Sequence, residues 1–355
     1  MEQNPLDDNN FRVRIQGVLD DFVAQHQDVL GSISPDAVAL TSSLSTLLAG
    51  GKRLRAAFAY WGYRSTGAPD SDLIIRAASS LEFLQACALI HDDVMDGSAM
   101  RRGNLAVHKQ FEKLHSDSKW QGSAIDFGAG SAILVGDLAL SWADELLATS
   151  GLAPQAWQST KAIYDTMRTE LMAGQYLDLL EQSRRGTNVA AARNVIRFKS
   201  AKYTIERPLH MGAAMAQADD EHQQILSDFG LALGEAFQLR DDLLGVFGDS
   251  ETTGKPSGDD LREGKQTVLI ASAIEVCPPA EREFLTTHLG SSSMDEDIIA
   301  KFREILSTCG AVDRLENEIE ELTASALSAI NHSCIDNESQ LALEKLAILA
   351  TQRTY

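Results

Sequence analysis

The amino-acid sequence predicts an all-α fold, a single large bundle of about ten or more helices with short antiparallel connections. Only 8 prolines occur among 355 residues, so long stretches of the chain, including all of residues 70–153, are free to form uninterrupted helix. Apolar side chains recur at intervals of three and four residues, which places them on one face of a helix. No segment of useful length shows the two-residue alternation of a half-buried strand.

The helices can be located from this spacing, and the clearest pattern runs from Asp72 to Asp96. The same spacing predicts further helices over Ser131–Ala148, Trp157–Leu180, Ala190–Ala216, Glu221–Val246, Thr267–Ile274 and Asp297–Leu306. Stretches rich in Gly, Ser or Asp predict loops at Gly62–Asp70, Ser116–Gly130, Gln182–Thr187, Gly248–Gly264 and Gly290–Ser293. None of these loops has the composition of an interdomain linker, so residues 1–355 are predicted to form a single domain.

The charge balance excludes one class of partner. The chain has 31 Lys and Arg residues against 51 Asp and Glu residues, a formal net charge of −20. Such a surface repels a phosphate backbone, so nucleic acid is not expected as a partner. An anionic substrate must therefore be held by a local group of cations or by metal ions.

Cysteine usage and the N-terminus indicate the compartment. The four cysteines contain no Cys-x-x-Cys pair and no dense framework, which is typical of a reducing compartment. Met1–Asn10 has neither a basic segment nor an apolar segment of a signal peptide, and no run approaches about 18 apolar residues. We therefore expect a cytoplasmic protein without a transmembrane segment.

Two acidic clusters each follow an apolar helical run. In the first, Asp92 and Asp96 lie four residues apart, so both carboxylates project from one face of a helix. In the second, Asp241 and Asp242 end another such run, whereas Asp249 lies beyond two glycines and is expected to cap a loop or to act indirectly. A solvated acidic helix end would explain either cluster alone. Together they indicate one site for Mg²⁺, which binds one or two carboxylates and substrate phosphate oxygens.

Cations lie beside both clusters in this otherwise acidic chain. Lys52 and Arg55 follow Gly50-Gly51, and Arg101-Arg102 follow the first acidic cluster. Further cations near the second cluster or on the helix before it are Lys199, Lys202, Lys255 and Lys265. Arginine binds phosphate oxygens bidentately and lysine acts as a point charge, so the set suits a diphosphate.

These motifs, in this order, resemble the trans-prenyl diphosphate synthases of the all-helical polyprenyl synthetase family, most of all a geranylgeranyl diphosphate synthase. The resemblance covers approximately residues 44–270. It rests on Gly50–Arg55, Leu89–Asp96, Arg101–Gly103, Gly136–Leu138, Gly174-Gln175, Lys199–Ala201, Phe237–Asp242 and Gly264-Lys265.

The resemblance implies a helical bundle around a central substrate cavity and a homodimer that condenses isopentenyl diphosphate head-to-tail with an allylic diphosphate. Three Mg²⁺ ions are implied, held by Asp92, Asp96, Asp241 and Asp242. The implied ligands of the allylic diphosphate are Arg101, Lys199, Lys255 and Lys265. Those of isopentenyl diphosphate are Lys52, Arg55, Gln85 and Arg102. Gln238 and Ser200, with Lys199, are the implied catalytic group around the allylic cation.

Three positions depart from the family pattern. Gln85 stands where histidine is common, and its amide still donates to phosphate. Ser200 stands where threonine is usual and keeps the hydroxyl. Gly245 stands where many members carry a third aspartate, which leaves Asp241 and Asp242 as the expected ligands of the second cluster.

Product length should depend on the helix face below Asp92. In the family a bulky aromatic four or five residues before the first aspartate stops growth at C15, whereas Cys87 and Ala88 are small. Leu84, or a neighbouring side chain such as Phe111 or Trp142, is then expected to set the limit. We therefore predict a C20 product, with C15 and C25 or longer as alternatives.

Two other classes of protein are alternatives to this prediction. A terpene cyclase on the same fold would not need the separate cationic pocket of Lys52, Arg55 and Arg102. A non-catalytic regulatory partner of a prenyl synthase would be expected to have lost its aspartates. The sequence leaves the allylic primer open among dimethylallyl, geranyl and farnesyl diphosphate.

Overall fold

The computed structural model describes residues 5–7, 10–184, 188–248, 258–291 and 293–352. These residues are predominantly helical, which confirms the predicted all-α class. The helices are α1 Phe11–Ile33, α2 Val38–Leu48, α3 Leu54–Arg64, α4 Asp72–Asp96, α5 Val107–Asp117, α6 Ala124–Ala148, α7 Pro154–Arg184, α8 Val189–Val195, α9 Arg207–Met215, α10 Asp220–Phe247, α11 Asp259–Glu263, α12 Val268–Val276, α13 Pro279–His288, α14 Glu296–Thr308, α15 Ala311–Ile330 and α16 Asn337–Thr351. A 3₁₀ turn at Pro35–Ala37, a π-helix at Ile196–Glu206 and a hairpin of β1 Met100–Arg101 and β2 Asn104–Leu105 complete the elements of the described residues.

The chain divides into two compact units. One comprises Met1–Tyr60 and Ala68–Trp157, and the other comprises Trp61–Gly67 and Gln158–Tyr355. We call them the N-terminal unit and the C-terminal unit. That the whole chain forms a single domain remains a prediction.

Helix α4 is the core of the N-terminal unit. It packs along α6 and contacts α1, α2 and α5. Most of its apolar side chains are fully buried, as its three- and four-residue spacing predicts. Two glycines of α6 allow close packing: a Cβ on Gly136 would lie 2.1 Å from His91 Nε2, and one on Gly128 would lie 2.4 Å from the His108 carbonyl oxygen.

By length and composition alone, α4 and α6 are apolar enough to cross a membrane. The most apolar 18-residue stretch of α4 is 72% buried, as in the core helix of a soluble protein, whereas that of α6 is 28% buried. The absence of a transmembrane segment therefore stays a prediction.

Helix α10 is the core of the C-terminal unit. It packs against α15 and the π-helix, with smaller contacts to α9, α11, α12 and α16. Buried side chains of α10, α12, α14 and α15 share one hydrophobic core.

Where the spacing predicts one helix over residues 190–216, the structure has α8, the π-helix and α9 in succession. The π-helix lies unusually close to its neighbours, because a Cβ on Gly174 of α7 would lie 2.4 Å from the Lys199 amide nitrogen. On α10, a Cβ on Gly234 would lie 2.5 Å from Ala201 Cα, and one on Gly230 would lie 2.8 Å from Glu206 Cα. These three glycines thus allow the backbones of α7 and α10 to contact the backbone of the π-helix. Apolar periodicity alone does not predict this close approach.

Candidate active site

The first acidic cluster lies at the C-terminal end of α4. Asp92 and Asp96 belong to a half-buried stripe that continues down the helix through Leu89, Ala88 and Gln85. This stripe has the three- and four-residue spacing of one helical face. The helix ends at Gly97, which caps it with φ 70°. The carboxylates therefore lie above a strip of partly accessible helix surface.

Between them, Asp93 takes a different role that the sequence did not reveal. Asp93 is a buried residue, 2% exposed. The Arg101 guanidinium binds its carboxylate bidentately, with Arg101 Nε 2.9 Å from Asp93 Oδ1. Arg101 Nη2 also lies 3.6 Å from Asp92 Oδ2. Asp93 therefore holds Arg101 beside Asp92. The signal available in the sequence was the order Asp92-Asp93 followed by Arg101.

A two-residue hairpin turn presents Arg101 and Arg102. Arg101 pairs with Asn104 across the hairpin, and the turn between them consists of Arg102 and Gly103 with φ 52° and 77°. Two successive positive φ angles are typical of the tight turn that joins short antiparallel strands. The positive φ of this turn therefore favours glycine at position 103.

Arg102 contacts the predicted basic loop, which we define as residues 50–55. Its Nη1 donates to the carbonyl oxygens of Gly50 at 2.6 Å and Leu47 at 3.0 Å. A Cβ on Gly51, whose φ is 116°, would lie 2.8 Å from Arg102 Nη2. The structure therefore brings Arg102 against the loop that carries Lys52, which is exposed, and Arg55, which is half-buried.

Electrostatics mark this region as strongly basic. The pKa of Arg102 is lowered, mainly because its guanidinium is partly buried although the residue as a whole is exposed. The positive charges of Arg53, Arg101 and Arg55 also lower this pKa, and the negative charge of Glu82 opposes them. Such mutual repulsion favours the binding of an anion.

The same region contains a cavity of about 180 Å³ in the N-terminal unit. It is lined by Thr46, Leu47, Ala49, Gly50, Asp93, Arg101, Arg102, Asn104, Leu105, Ala106, Val107 and Gln110. The cavity brings Arg101 and Arg102 together, and its described lining does not include Lys52, Arg55 or Gln85.

The second acidic cluster lies in the C-terminal unit near the end of α10. Asp241 is half-buried, and Asp242 is buried with its Oδ1 accepting a hydrogen bond from Gln238 Nε2 at 3.0 Å. Burial raises the pKa of Asp242 to about 8, reinforced by Asp260 and Asp241 and opposed by Gln238 and the Val268 backbone. The predicted catalytic Gln238 therefore also serves to hold Asp242.

Asp260 is a member of this cluster that sequence reasoning missed. A Cβ on Gly245 would lie 1.8 Å from Asp260 Oδ2, so the carboxylate of α11 fills the space above that glycine. Lys265 approaches the same group, with Nζ 3.5 Å from Asp260 and 2.8 Å from Glu263. The signal in the sequence was Gly245 itself, which stands where many members of the family carry a third aspartate.

Lys199 lies on the π-helix of the C-terminal unit. Its Nζ donates a hydrogen bond, 2.5 Å long, to Oδ2 of Asp178, a residue of α7. Asp178 was not singled out, although it follows the Gly174-Gln175 motif by one helical turn. Ser200 is half-buried next to Lys199. The predicted Lys255 and the predicted loop residue Asp249 lie outside the described residues.

Leu84, Cys87 and Ala88 are the three α4 residues expected to form the floor that limits product length, which we call the chain-length floor. They do not share one environment. Leu84 and Cys87 are fully buried, and Cys87 Sγ lies 3.7 Å from His91 Nδ1. Burial raises the pKa of the Cys87 thiol to about 12, with a further contribution from Asp137 of α6. Ala88 alone of the three lies on the half-buried stripe below Asp92.

The two neighbouring aromatics predicted as possible limits also occupy different places. Trp142 packs against Phe22, His26 and Phe83. Phe111 packs against Phe127, at a centroid distance of 6.4 Å. Of the residues predicted to limit product length, Ala88 is therefore the one that lies on the half-buried stripe below Asp92.

The acidic residues fit Mg²⁺. Within the described ranges no three Asp, Glu, His or Cys side chains converge closely enough to enclose a metal ion by themselves. Mg²⁺ does not require such a cage, since it takes one or two carboxylates and fills its octahedron with water and phosphate oxygens. The buried Asp242 carboxylate, with a pKa of about 8, lies beside two more acids, and a cation would relieve this repulsion.

Comparison with known proteins reveals close relatives along nearly the whole chain. A geranylfarnesyl diphosphate synthase of Aeropyrum pernix is 30% identical over 328 residues, covering 91% of this chain and 96% of that protein. A geranylgeranyl diphosphate synthase of Sulfolobus acidocaldarius is 29% identical over 276 residues, covering 77% of this chain and 78% of that protein.

Solved structures are similar as well. A geranylgeranyl pyrophosphate synthase of Corynebacterium glutamicum, complexed with isoprenyl diphosphate and magnesium, is 38% identical with a TM-score of 0.94, covering 97% of this chain and 99% of that one. A polyprenyl synthase of Caulobacter crescentus, complexed with calcium and isoprenyl diphosphate, is 30% identical with a TM-score of 0.79, covering 98% and 97%. The polyprenyl synthetase family model matches residues 38–306, and the chain therefore belongs to the polyprenyl synthetase family.

Proposed function

We propose that this protein is a Mg²⁺-dependent trans-prenyl diphosphate synthase that condenses isopentenyl diphosphate head-to-tail with an allylic diphosphate. The observation that carries the proposal is the α4 stripe, on which Asp92 and Asp96 lie above the small side chain of Ala88. Arg101, held by Asp93, lies beside Asp92. This arrangement suits a diphosphate at the acids and an apolar chain below them.

The allylic diphosphate must lose its leaving group, so its oxygens need positive charge. Mg²⁺ supplies part of this charge when it is bound, and Asp92, Asp96, Asp241 and Asp242 would hold it, as three ions. Arg101, Lys199, Lys255 and Lys265 bind the departing diphosphate and stabilise the charge that develops on it. Asp260 joins the second acidic group, because its carboxylate fills the space above Gly245.

Isopentenyl diphosphate must be held intact while its alkene attacks. We assign its diphosphate to Lys52, Arg55, Gln85 and Arg102, since their cationic and amide groups donate hydrogen bonds to phosphate oxygens. The Gln238 amide oxygen and the Ser200 hydroxyl direct lone pairs at the allylic cation. The released diphosphate takes the proton that the new chain loses.

The product is proposed to be C20 geranylgeranyl diphosphate. Ala88 leaves the stripe open at the depth where a bulky side chain would stop growth at C15. Relatives of this chain carry names from geranylgeranyl to octaprenyl diphosphate synthase, so C15 and C25 or longer products remain the alternatives to be measured.

No specific observation favours either of the two alternative classes of protein. A terpene cyclase would not need the basic group of Lys52, Arg55 and Arg102. A non-catalytic regulatory partner would not need the acids that the chain retains.

We further propose that the protein is cytoplasmic and that it forms a homodimer through α6. This helix exposes several large apolar side chains, namely Ile125 at 65%, Phe127 at 37%, Ile133 at 46% and Leu134 at 58%. Several large exposed apolar side chains on one helix favour an interface, and a second copy of the chain would cover them. Leu134→Glu should reduce the mass measured by sedimentation, and an unchanged mass would contradict this interface.

The experiment that tests the function is incubation with labelled isopentenyl diphosphate and each allylic primer, with Mg²⁺ or with EDTA. Chromatography of the dephosphorylated products should show a C20 alcohol in Mg²⁺ and none in EDTA. Asp92→Ala should lower the rate by about three orders of magnitude or more, because a metal ligand is lost. Asp117→Ala, which removes an exposed partner of Lys113, is the matched control. A near wild-type rate for Asp92→Ala in Mg²⁺ would refute the proposal.

A further inference from the structure

Arg53 is a buried charged residue within the basic loop, and nothing in the proposed chemistry uses its side chain. It is 5% exposed, although both flanking cations, Lys52 and Arg55, are more accessible. Its φ of 59° lies in the left-handed region, which residues other than glycine rarely adopt. A buried charge at an unfavourable backbone angle requires compensating contacts.

The Arg53 guanidinium makes those contacts with three different helices of the N-terminal unit. Its Nη1 donates to Glu82 Oε2 of α4 at 2.8 Å. Its Nη2 donates to Gln16 Oε1 of α1 at 2.5 Å and to the Leu48 carbonyl oxygen at the end of α2. Both charged side chains of the ion pair are almost fully buried, at 4% and 6% exposed.

We propose that Arg53, through its buried ion pair with Glu82, is a positioning residue for the isopentenyl diphosphate site. Glu82 lies three residues before Gln85 on α4, which is about one helical turn. Arg53 itself lies between Lys52 and Arg55 in the basic loop. One side chain therefore connects the backbone that carries two of the proposed ligands with the helix turn that carries a third. This inference rests on the proposed function.

The charges around the pair agree with this role. Glu82 attracts the positive charge of Arg102, whereas Arg53, Arg55 and Arg101 repel that charge. Without Glu82 the buried Arg53 would lose its carboxylate partner, and its repulsion of Arg102 would no longer be offset by that acid. Glu82 thus keeps a cationic site together without contacting the substrate.

The test separates positioning from simple stabilisation. Arg53→Met and Glu82→Met each leave one buried charge unpaired, so both should lower the melting temperature. The double variant removes both charges and should recover much of that stability. For all three variants we expect the KM for isopentenyl diphosphate to rise by about 10- to 100-fold, with little change in the KM for the allylic substrate.

Two further variants provide controls. Arg14→Met removes another arginine that binds two carboxylates, those of Asp70 and Asp72, but at the opposite end of α4. It should leave both KM values unchanged. Arg53→Lys keeps the positive charge but not the forked donor, and it should restore part of the affinity.

Calorimetric titration of isopentenyl diphosphate into each protein measures binding without turnover. The expected result is weaker binding in the double variant despite recovered stability. A double variant with wild-type affinity would show that Arg53 only stabilises the fold, and single variants with unchanged affinity would also overturn the inference. A wild-type protein that neither binds isopentenyl diphosphate nor condenses it would overturn both this inference and the proposed function, whereas an active wild type with unaffected variants would overturn the inference alone.

Discussion

Substitution of Gly245 should reveal whether Asp260 replaces the missing third aspartate of the second acidic cluster. A Cβ at this position would lie 1.8 Å from Asp260 Oδ2 and 2.6 Å from its Cγ. Ordinary contact begins at 3.4 Å, so Gly245→Ala must displace the carboxylate by about 1.6 Å. The displaced group is the end of a flexible side chain, so the fold should accommodate the change.

The expected cost falls on activity and not on stability. Displacement of a positioning group by about 1 Å lowers a rate by roughly 100-fold, and we expect a kcat loss of that order for Gly245→Ala. Alanine is favoured over glycine inside a helix by about 1 kcal/mol, so the melting temperature should not fall. Gly245→Asp, which introduces the residue that many members of the family carry, should be impaired for the same steric reason.

The assay is the rate of condensation as a function of Mg²⁺ concentration. Gly245→Ala should need more Mg²⁺ for half-maximal rate, and Asp260→Gly combined with Gly245→Asp should be more active than Gly245→Asp alone. Gly17→Ala is the matched control, because no atom lies within 4 Å of a Cβ at that helical position. A Gly245→Ala enzyme with wild-type kcat and Mg²⁺ dependence, or a Gly245→Asp enzyme that gains activity, would refute the reasoning.

Three other predictions concern the substrate sites and pH. Arg55→Ala should raise the KM for isopentenyl diphosphate more than the KM for the allylic substrate, whereas Lys199→Ala should mainly lower kcat. Both variants are measured in steady-state assays. Equal effects of both variants on both substrates would contradict the separate sites. Ala88→Phe should shift the chromatographed products towards C15 without abolishing turnover, and an unchanged product spectrum would place the floor elsewhere. Burial lowers the pKa of His210 below its usual 6.5, so the unfolded chain binds the proton more readily and stability should fall as pH drops below about 6.5. His210→Gln should make that fall shallower in urea unfolding, and an identical pH dependence would show that His210 contributes nothing.

Short-range patterns in the sequence were sufficient for the helical class and for the acid stripe. The four-residue spacing of Asp92 and Asp96 determines a shared helical face, because the α-helix repeats every 3.6 residues whatever surrounds it. Ala88 on that face followed from the same period. The Arg-Arg-Gly turn was visible as a motif, although its hairpin was not predicted.

Contacts between distant residues were decided only by the tertiary structure. Apolar periodicity predicted one helix over residues 190–216, and the close approach that glycines 174, 230 and 234 allow became visible only with neighbouring helices in place. Cys87 and Ala88 are adjacent and similar in size, yet one is buried beside His91 and the other lies on the acid stripe.

The sequence by itself determined which residue types are present for metal and diphosphate chemistry and which face of α4 carries the first acids. The tertiary structure decided which charges compensate one another: Asp93 with Arg101, Glu82 with Arg53, and Asp260 above Gly245. The physical reason is that helical faces follow from local backbone geometry, whereas the pairing of buried charges depends on which helices pack together.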